Sequence, residues 1–143
     1  MFRHIMVAWD GSAVAEHAVR AARDIAGHYG ARLLVVSVLE IPLHAEARED
    51  RERTVREQTD FYTDTLARME RGVTETATAL RHEFLRGADP AEVLRSYAHE
   101  QGVDLIVIGR GHRGVVQRAL TGDVTDGVAR EAHCPVLVVG TEI

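Results

Sequence analysis

The chain has 143 residues, the size of one domain that buries about two-thirds of its unfolded surface without a disulfide or metal staple. A net charge of −5 with 45% hydrophobic and 27% charged residues describes an ordinary globular chain and sets aside disorder and a general nucleic-acid binder. All 17 basic residues are arginine; the absence of lysine excludes a Walker-A P-loop, a kinase phosphate-binding lysine, Schiff-base chemistry and a lysine-dependent receiver switch.

The apolar run His4-Ile5-Met6-Val7-Ala8-Trp9 stops at Asp10-Gly11-Ser12 and reads as a buried strand followed by a turn. From Ser12 to Gly30 the residues Val14, Ala18, Ala21, Ala22, Ile25 and Tyr29 recur at helical spacing. Ser12 serves as N-cap and Gly30 as C-terminal stop. The segment 32–39 is nearly continuous apolar and β-branched, the pattern of a strand covered on both faces. Residues 40–47 contain Pro42 and read as a loop. The charged stretch from Arg48 to about Thr76 keeps Val55, Tyr62, Leu66, Met69 and Val73 at a spacing of three and four. It predicts a long amphipathic helix whose charge run, Arg48 to Glu57, is a solvated face.

Residues 79–85 form a less apolar strand suited to a sheet edge. Asp89-Pro90 opens a helix with Val93, Leu94, Tyr97 and Ala98 inward, ended by Gly102. A second apolar strand, 104–108, runs into the glycine-rich stretch 109–114. A helix from about Asp123 to Ala132 and a last strand at 136–139 complete the chain. Strictly alternating elements without a linker predict one α/β domain, 1–143, with a doubly wound parallel sheet and helices on both faces.

In such a sheet ligands bind beyond the carboxyl ends of the strands, where the strand order reverses. Two strand ends carry unusual chemistry: Asp10-Gly11-Ser12, and the 109–114 loop followed by Thr121-Gly122-Asp123-Val124-Thr125. Glycine lets backbone approach a ligand closely, and a helix start offers N–H groups to phosphate. Arg110, Arg113 and Arg118 make this loop basic within an acidic chain. A mobile surface turn would also use glycine and arginine, so ligand binding and simple loop chemistry both remain open on this pattern.

The chain resembles the universal stress protein family. The resemblance runs through Ile5-Met6-Val7-Ala8-Trp9-Asp10-Gly11-Ser12, Gly87-Ala88-Asp89-Pro90-Ala91-Glu92-Val93-Leu94, Asp104-Leu105-Ile106-Val107-Ile108-Gly109, Gly122-Asp123-Val124-Thr125 and Cys134-Pro135-Val136-Leu137-Val138-Val139. It implies a five-stranded parallel sheet in the order 3-2-1-4-5, homodimers paired through the last strand (134–139), and a cytoplasmic stress-response role. It also implies an ATP-type site for an adenine nucleotide, with Mg²⁺ as a candidate companion. In this site Asp10 meets ribose or base, Ala8, Trp9 and Val38 line the pocket, and Ile108, Gly109, Arg110, Gly111, His112, Gly122, Asp123, Val124 and Thr125 form the phosphate side.

The family's phosphate pattern is glycine, two residues, glycine, nine residues, then glycine followed by Ser or Thr. Here His112 stands at the second glycine and Asp123 at the Ser or Thr. Gly111 and Gly114 keep the loop supple, but a carboxylate facing phosphates at about 4 Å costs on the order of 1–4 kcal/mol. Nearby arginines or Mg²⁺ can offset that repulsion. Trp9 is large for its position and could fill part of the adenine space.

Asp10 also has a purely structural reading, as a turn residue at the start of the first helix. His112 with Asp10 and Asp123 is the remaining combination for a metal, the other histidines showing no ligand spacing. Cys134 stands alone, which excludes an internal disulfide, and before Pro135 it reads as a packed small hydrophobe. Ser12, Ser37 and Ser96 lack a nucleophile elbow, so no catalytic residue is assigned and at most weak ATP hydrolysis is expected. No apolar run approaches about 18 residues, and no signal-peptide core is present, so a cytoplasmic protein without a membrane partner is expected, and the acidic balance sets nucleic acid aside as a partner. Two functions follow: a cytoplasmic homodimer that binds an adenine nucleotide, or a dimeric regulatory protein of the same fold that binds no nucleotide and meets an unknown protein partner.

Overall fold

The computed structural model describes residues 1–40, 48–71, 80–111 and 120–140. Their elements alternate as expected: β1 His4–Ala8, α1 Ala13–Tyr29, β2 Arg32–Leu39, α2 Arg48–Glu70, β3 Leu80–Arg86, α3 Pro90–Glu100, β4 Leu105–Gly109, α4 Leu120–Glu131 and β5 Val136–Val139. The sheet is parallel throughout and runs β3-β2-β1-β4-β5.

Strand alternation divides the core into two layers. Ile5, Val7, Trp9, Leu33, Val35, Leu105 and Val107 pack under α1 and α2, against Ala18, Val19, Ala22, Leu66 and Met69. Met6, Leu34, Val36, Ile106 and Ile108 face the other way, against Ala91, Leu94 and Ala98 of α3 and Val128 of α4. The central strands β1, β2 and β4 are therefore apolar on both faces.

Local chemistry fixes the helix ends. The Ser12 hydroxyl accepts from the Ala15 N–H at the start of α1, and Gly30 closes it at φ 66°, a left-handed turn natural to glycine. Along α1 the buried face is Val14, Ala15, Ala18, Val19, Ala22 and Ala26. Tyr29, expected inward, is exposed, and its ring packs edge-on against Phe2. Asp89 caps α3 through the N–H groups of Ala91 and Glu92, with Pro90 opening the helix. In α2 the buried residues are Leu66 and Met69, with Val55 and Tyr62 half-buried; Val73 lies outside the described residues.

One boundary differs from the sequence expectation. Helix α4 starts at Leu120, not at about Asp123. Thr121-Gly122 resembles a turn in composition, but Leu120, Val124 and Val128 continue one helical stripe at a spacing of four. Gly122 and Asp123 thus lie inside the first turn of the helix. Among the described residues no helix is long and apolar enough to cross a membrane.

Candidate functional site

From β1 the chain proceeds to β2 and β3 on one side, and β4 leads to β5 on the other. The order reverses between β1 and β4, the switch point above whose carboxyl ends sheets of this kind open a crevice. In the β1–β4 register Val7 pairs with Val107. Three residues beyond that pair come Asp10 and Arg110, so both leave the sheet at the same level.

At the β1 end, Asp10 Oδ1 accepts from the Ser12 N–H at 2.9 Å, forming an Asx turn. Gly11 follows at φ 81°, where a Cβ would stand 2.9 Å from the Phe61 ring of α2. Only glycine suits both that conformation and that contact. The Asp10 carboxylate is exposed, so its structural role leaves it at the crevice mouth. Trp9 points the other way. It is 4% exposed, lies in the layer under α1 and α2, and its Nε1–H donates to the Tyr62 carbonyl at 3.1 Å.

Ala8, Val38, Ile108 and Val124 come together on the opposite face, in the layer beneath α3 and α4. At the β4 end, a Cβ on Gly109 would meet Val14 Cγ2 at 2.9 Å and the Val14 carbonyl oxygen at 3.1 Å. Glycine there lets α1 approach the strand end. The Thr125 hydroxyl, almost wholly buried, donates to the Gly109 carbonyl at 3.0 Å and ties α4 to the same point. The Arg110 N–H donates to the Val139 carbonyl at 2.6 Å. Its exposed side chain runs toward β5, with Cζ 3.8 Å from where a Cβ on Gly140 would stand. Gly111 follows, half-buried. His112, Arg113, Gly114 and Arg118 lie outside the described residues.

Ser37, weighed from the sequence only as a nucleophile, takes a structural role beside the β1 end. Ser37 is fully buried in β2. Its hydroxyl donates to the Trp9 carbonyl at 2.8 Å and lies 2.9 Å from His82 Nε2. With its one proton committed to Trp9, Ser37 accepts from His82, which places the imidazole proton on Nε2. Burial pushes the His82 pKa down, against an opposing pull from Glu83. A lone serine inside the run Leu33-Leu34-Val35-Val36-Ser37-Val38-Leu39 was the available signal. Burial raises the Cys134 thiol, which suppresses thiolate chemistry there. Among the described residues no group of three or more His, Cys, Asp or Glu converges as a metal site.

The arrangement is that of a doubly wound α/β protein with glycines at both strand ends of its switch point; its serine–histidine contact, Ser37–His82, lies within the sheet layer with the imidazole as donor. The Universal stress protein family model matches residues 1–140. A protein named as a universal stress protein of Staphylococcus haemolyticus is 33% identical over 99% of this chain and 86% of its own length. The solved universal stress protein UspA from Lactobacillus plantarum superposes with a TM-score of 0.82 at 26% identity, covering 96% of this chain and 97% of its own. A universal stress protein solved in complex with cAMP gives a TM-score of 0.64 at 26% identity, over 99% and 98% of the two chains. The chain belongs to the universal stress protein family.

Proposed function

We propose that this chain binds an adenine nucleotide of the ATP type in the crevice between β1 and β4, and acts as a cytoplasmic homodimer in a stress response. One observation carries the reading: the strand register brings the exposed Asp10 and the Gly109-Arg110-Gly111 backbone to the same level of the switch point. A relative of 26% identity that is solved with cAMP supports an adenine ligand for this fold. Asp10 receives the ribose or base, Ala8, Val38 and Ile108 line the apolar side, and Gly109 to His112 with Gly122, Asp123, Val124 and Thr125 hold the phosphates. Trp9 contributes backbone to that wall while its indole packs under α2. Mg²⁺ would accompany the phosphates, and the Asp123 carboxylate weakens their binding. The role is binding, not catalysis.

The dimer forms through β5. Pro135 and Val139 direct their carbonyls to β4, accepting from Ile106 and Arg110. By the two-residue alternation Val136 and Val138 direct their backbone groups outward. Leu137 and Val138 are 39% and 37% exposed. An apolar edge of this kind calls for pairing, and a two-fold antiparallel pair is the simplest closed one.

Thermal melting with millimolar ATP or cAMP tests the site. The parent melts higher with nucleotide because a ligand stabilises only the state it binds, and Asp10→Ala abolishes the shift through unpaired ligand groups costing on the order of 1–3 kcal/mol. No shift in the parent decides for a dimeric interaction protein without nucleotide. In calorimetric titration Asp123→Ser tightens ATP by roughly tenfold, about 1.4 kcal/mol; unchanged affinity removes the repulsion argument.

A further inference from the structure

The inward stripe of α2 changes character halfway along the helix. Alternating steps of four and three give Arg48, Glu52, Val55, Thr59, Tyr62, Leu66 and Met69 on one face. Tyr62, Leu66 and Met69 pack into the core beneath the helix. In the first half of α2 the same stripe and its flanks carry arginine, and they border a cavity of about 470 Å³ lined by Arg48, Arg51, Glu52, Val55, Arg56 and Arg86. Arg86 ends β3 and lies two and four positions on from Phe84 and His82, on the sheet face that bears Ser37. The charge run read from sequence as a solvated face therefore meets a further arginine across the sheet edge.

The charges in this cavity are unbalanced. Arg48 pairs with Glu52 at 3.1 Å. Arg53, on the same helix but outside the cavity, pairs with Asp50 at 3.2 Å. Among the described residues Arg51, Arg56 and Arg86 make neither an ion pair nor a side-chain hydrogen bond. Among the described residues, three exposed guanidiniums without an ion pair thus border one cavity with a single, already paired carboxylate, in a chain of net charge −5. Exposed like charges near one another repel only weakly through water and salt, but an anion seated between them meets all of them at once.

We infer that this cavity is an anion site, separate from the β1–β4 crevice, for a compact polyanion bearing two or more phosphate groups. Guanidinium presents paired N–H donors that match phosphate oxygens. Here the donors approach from two elements, the helix and the strand end. A tetrahedral phosphoryl group offers oxygens to both directions, whereas a planar carboxylate offers them in one plane. Val55 provides the apolar side of the cavity. The inference does not rest on nucleotide binding in the crevice.

Tripolyphosphate titrated into the full chain by calorimetry at low salt is the test. The expected result is saturable one-to-one binding, weakened at least about tenfold in Arg56→Gln/Arg86→Gln. The control Arg20→Gln/Arg130→Gln, with both residues exposed outside the cavity, stays within about twofold of the parent by the same energy scale. Citrate binds more weakly than tripolyphosphate. Melting temperatures of the groove variant match or exceed the parent, since its substitutions relieve repulsion, and this keeps lost binding distinct from lost fold. No binding by the parent, an equal loss in the control, or equal binding of citrate overturns the assignment. So does a loss produced by Arg110→Gln while the groove variant binds normally, which places the polyphosphate in the crevice instead.

Discussion

The two edges of the sheet occupy equivalent positions and solve the edge problem in opposite ways. Strand β3, Leu80–Arg86, interleaves Leu80, Phe84 and Leu85 with Arg81, His82, Glu83 and Arg86, and Arg81 and Glu83 form an ion pair along it. Strand β5, Val136–Val139, carries no charge at all and exposes Leu137 and Val138. Charge on an edge discourages pairing with another chain, and its absence invites it. The same sheet thus has one closed edge and one open edge, and the open one belongs to the shortest of its apolar strands.

Proline scanning of β5 gives the largest expected effect. Leu137 directs its backbone groups to β4, by alternation with Pro135 and Val139, so Leu137→Pro removes a donor from the chain's own ladder. The β4 partner is left unsatisfied in the interior at about 1–3 kcal/mol, with ring strain added, and the protein is recovered mostly unfolded or insoluble. Val138 directs its N–H outward, where an edge strand tolerates proline. Val138→Pro therefore keeps the fold, and light scattering reports a monomer. A folded dimer of unchanged mass for Val138→Pro removes β5 from the interface.

The converse change at β3 has a smaller effect. Arg81 and Glu83 share the face of the strand opposite Arg86 and His82, by period-two alternation. Arg81→Val/Glu83→Val makes this edge resemble β5, and sedimentation should show concentration-dependent association beyond the parent's state. If the double variant sediments like the parent, the charges are not what keeps β3 closed.

Much of the fold was legible because parallel strands buried on both faces write themselves as unbroken apolar runs. Residues 32–39 and 104–108 admit no other reading beside their flanking glycines and caps. The edge position of β3 was legible for the opposite reason, its mixed composition. The start of α4 was misplaced because Thr121-Gly122 suits a turn as well as a first helical turn, and local composition does not distinguish them. The candidate site was half legible. The motif positions Asp10 and Gly109 do reach one level of the sheet, but the direction of Trp9 depends on which face β1 presents to α2. That follows from the alternation Ile5, Val7, Trp9 only once the helix layers are assigned. The meeting of Arg86 with the first half of α2 was not legible, since strand and helix are some thirty residues apart and no local pattern links them.

The smallest expected effect distinguishes the edges by acidity. In β3, His82 donates from Nε2 to the buried Ser37 hydroxyl, and burial holds its pKa below the ordinary imidazole value, about 6.5. The native state therefore favours the neutral ring, while the unfolded chain takes up a proton first as pH falls. Stability from this group is complete above the unfolded value and is lost as pH drops through it toward the lower native one. His4, also held low by burial and by Arg32, shares the sign but sits in the central strand β1, its Nδ1–H donating to the Gln101 carbonyl at 3.1 Å. A substitution separates the two. His82→Gln keeps an N–H donor for Ser37 without a titrating group, so its melting temperature should fall less than the parent's between pH 7 and about pH 5, with the His4 contribution unchanged. Amide exchange gives the local reading: acid should weaken protection in β3 of the parent, spare β5, and leave β3 of the variant nearly unaltered. Equal acid sensitivity of β3 in parent and variant would show that the Ser37–His82 link does not hold this edge.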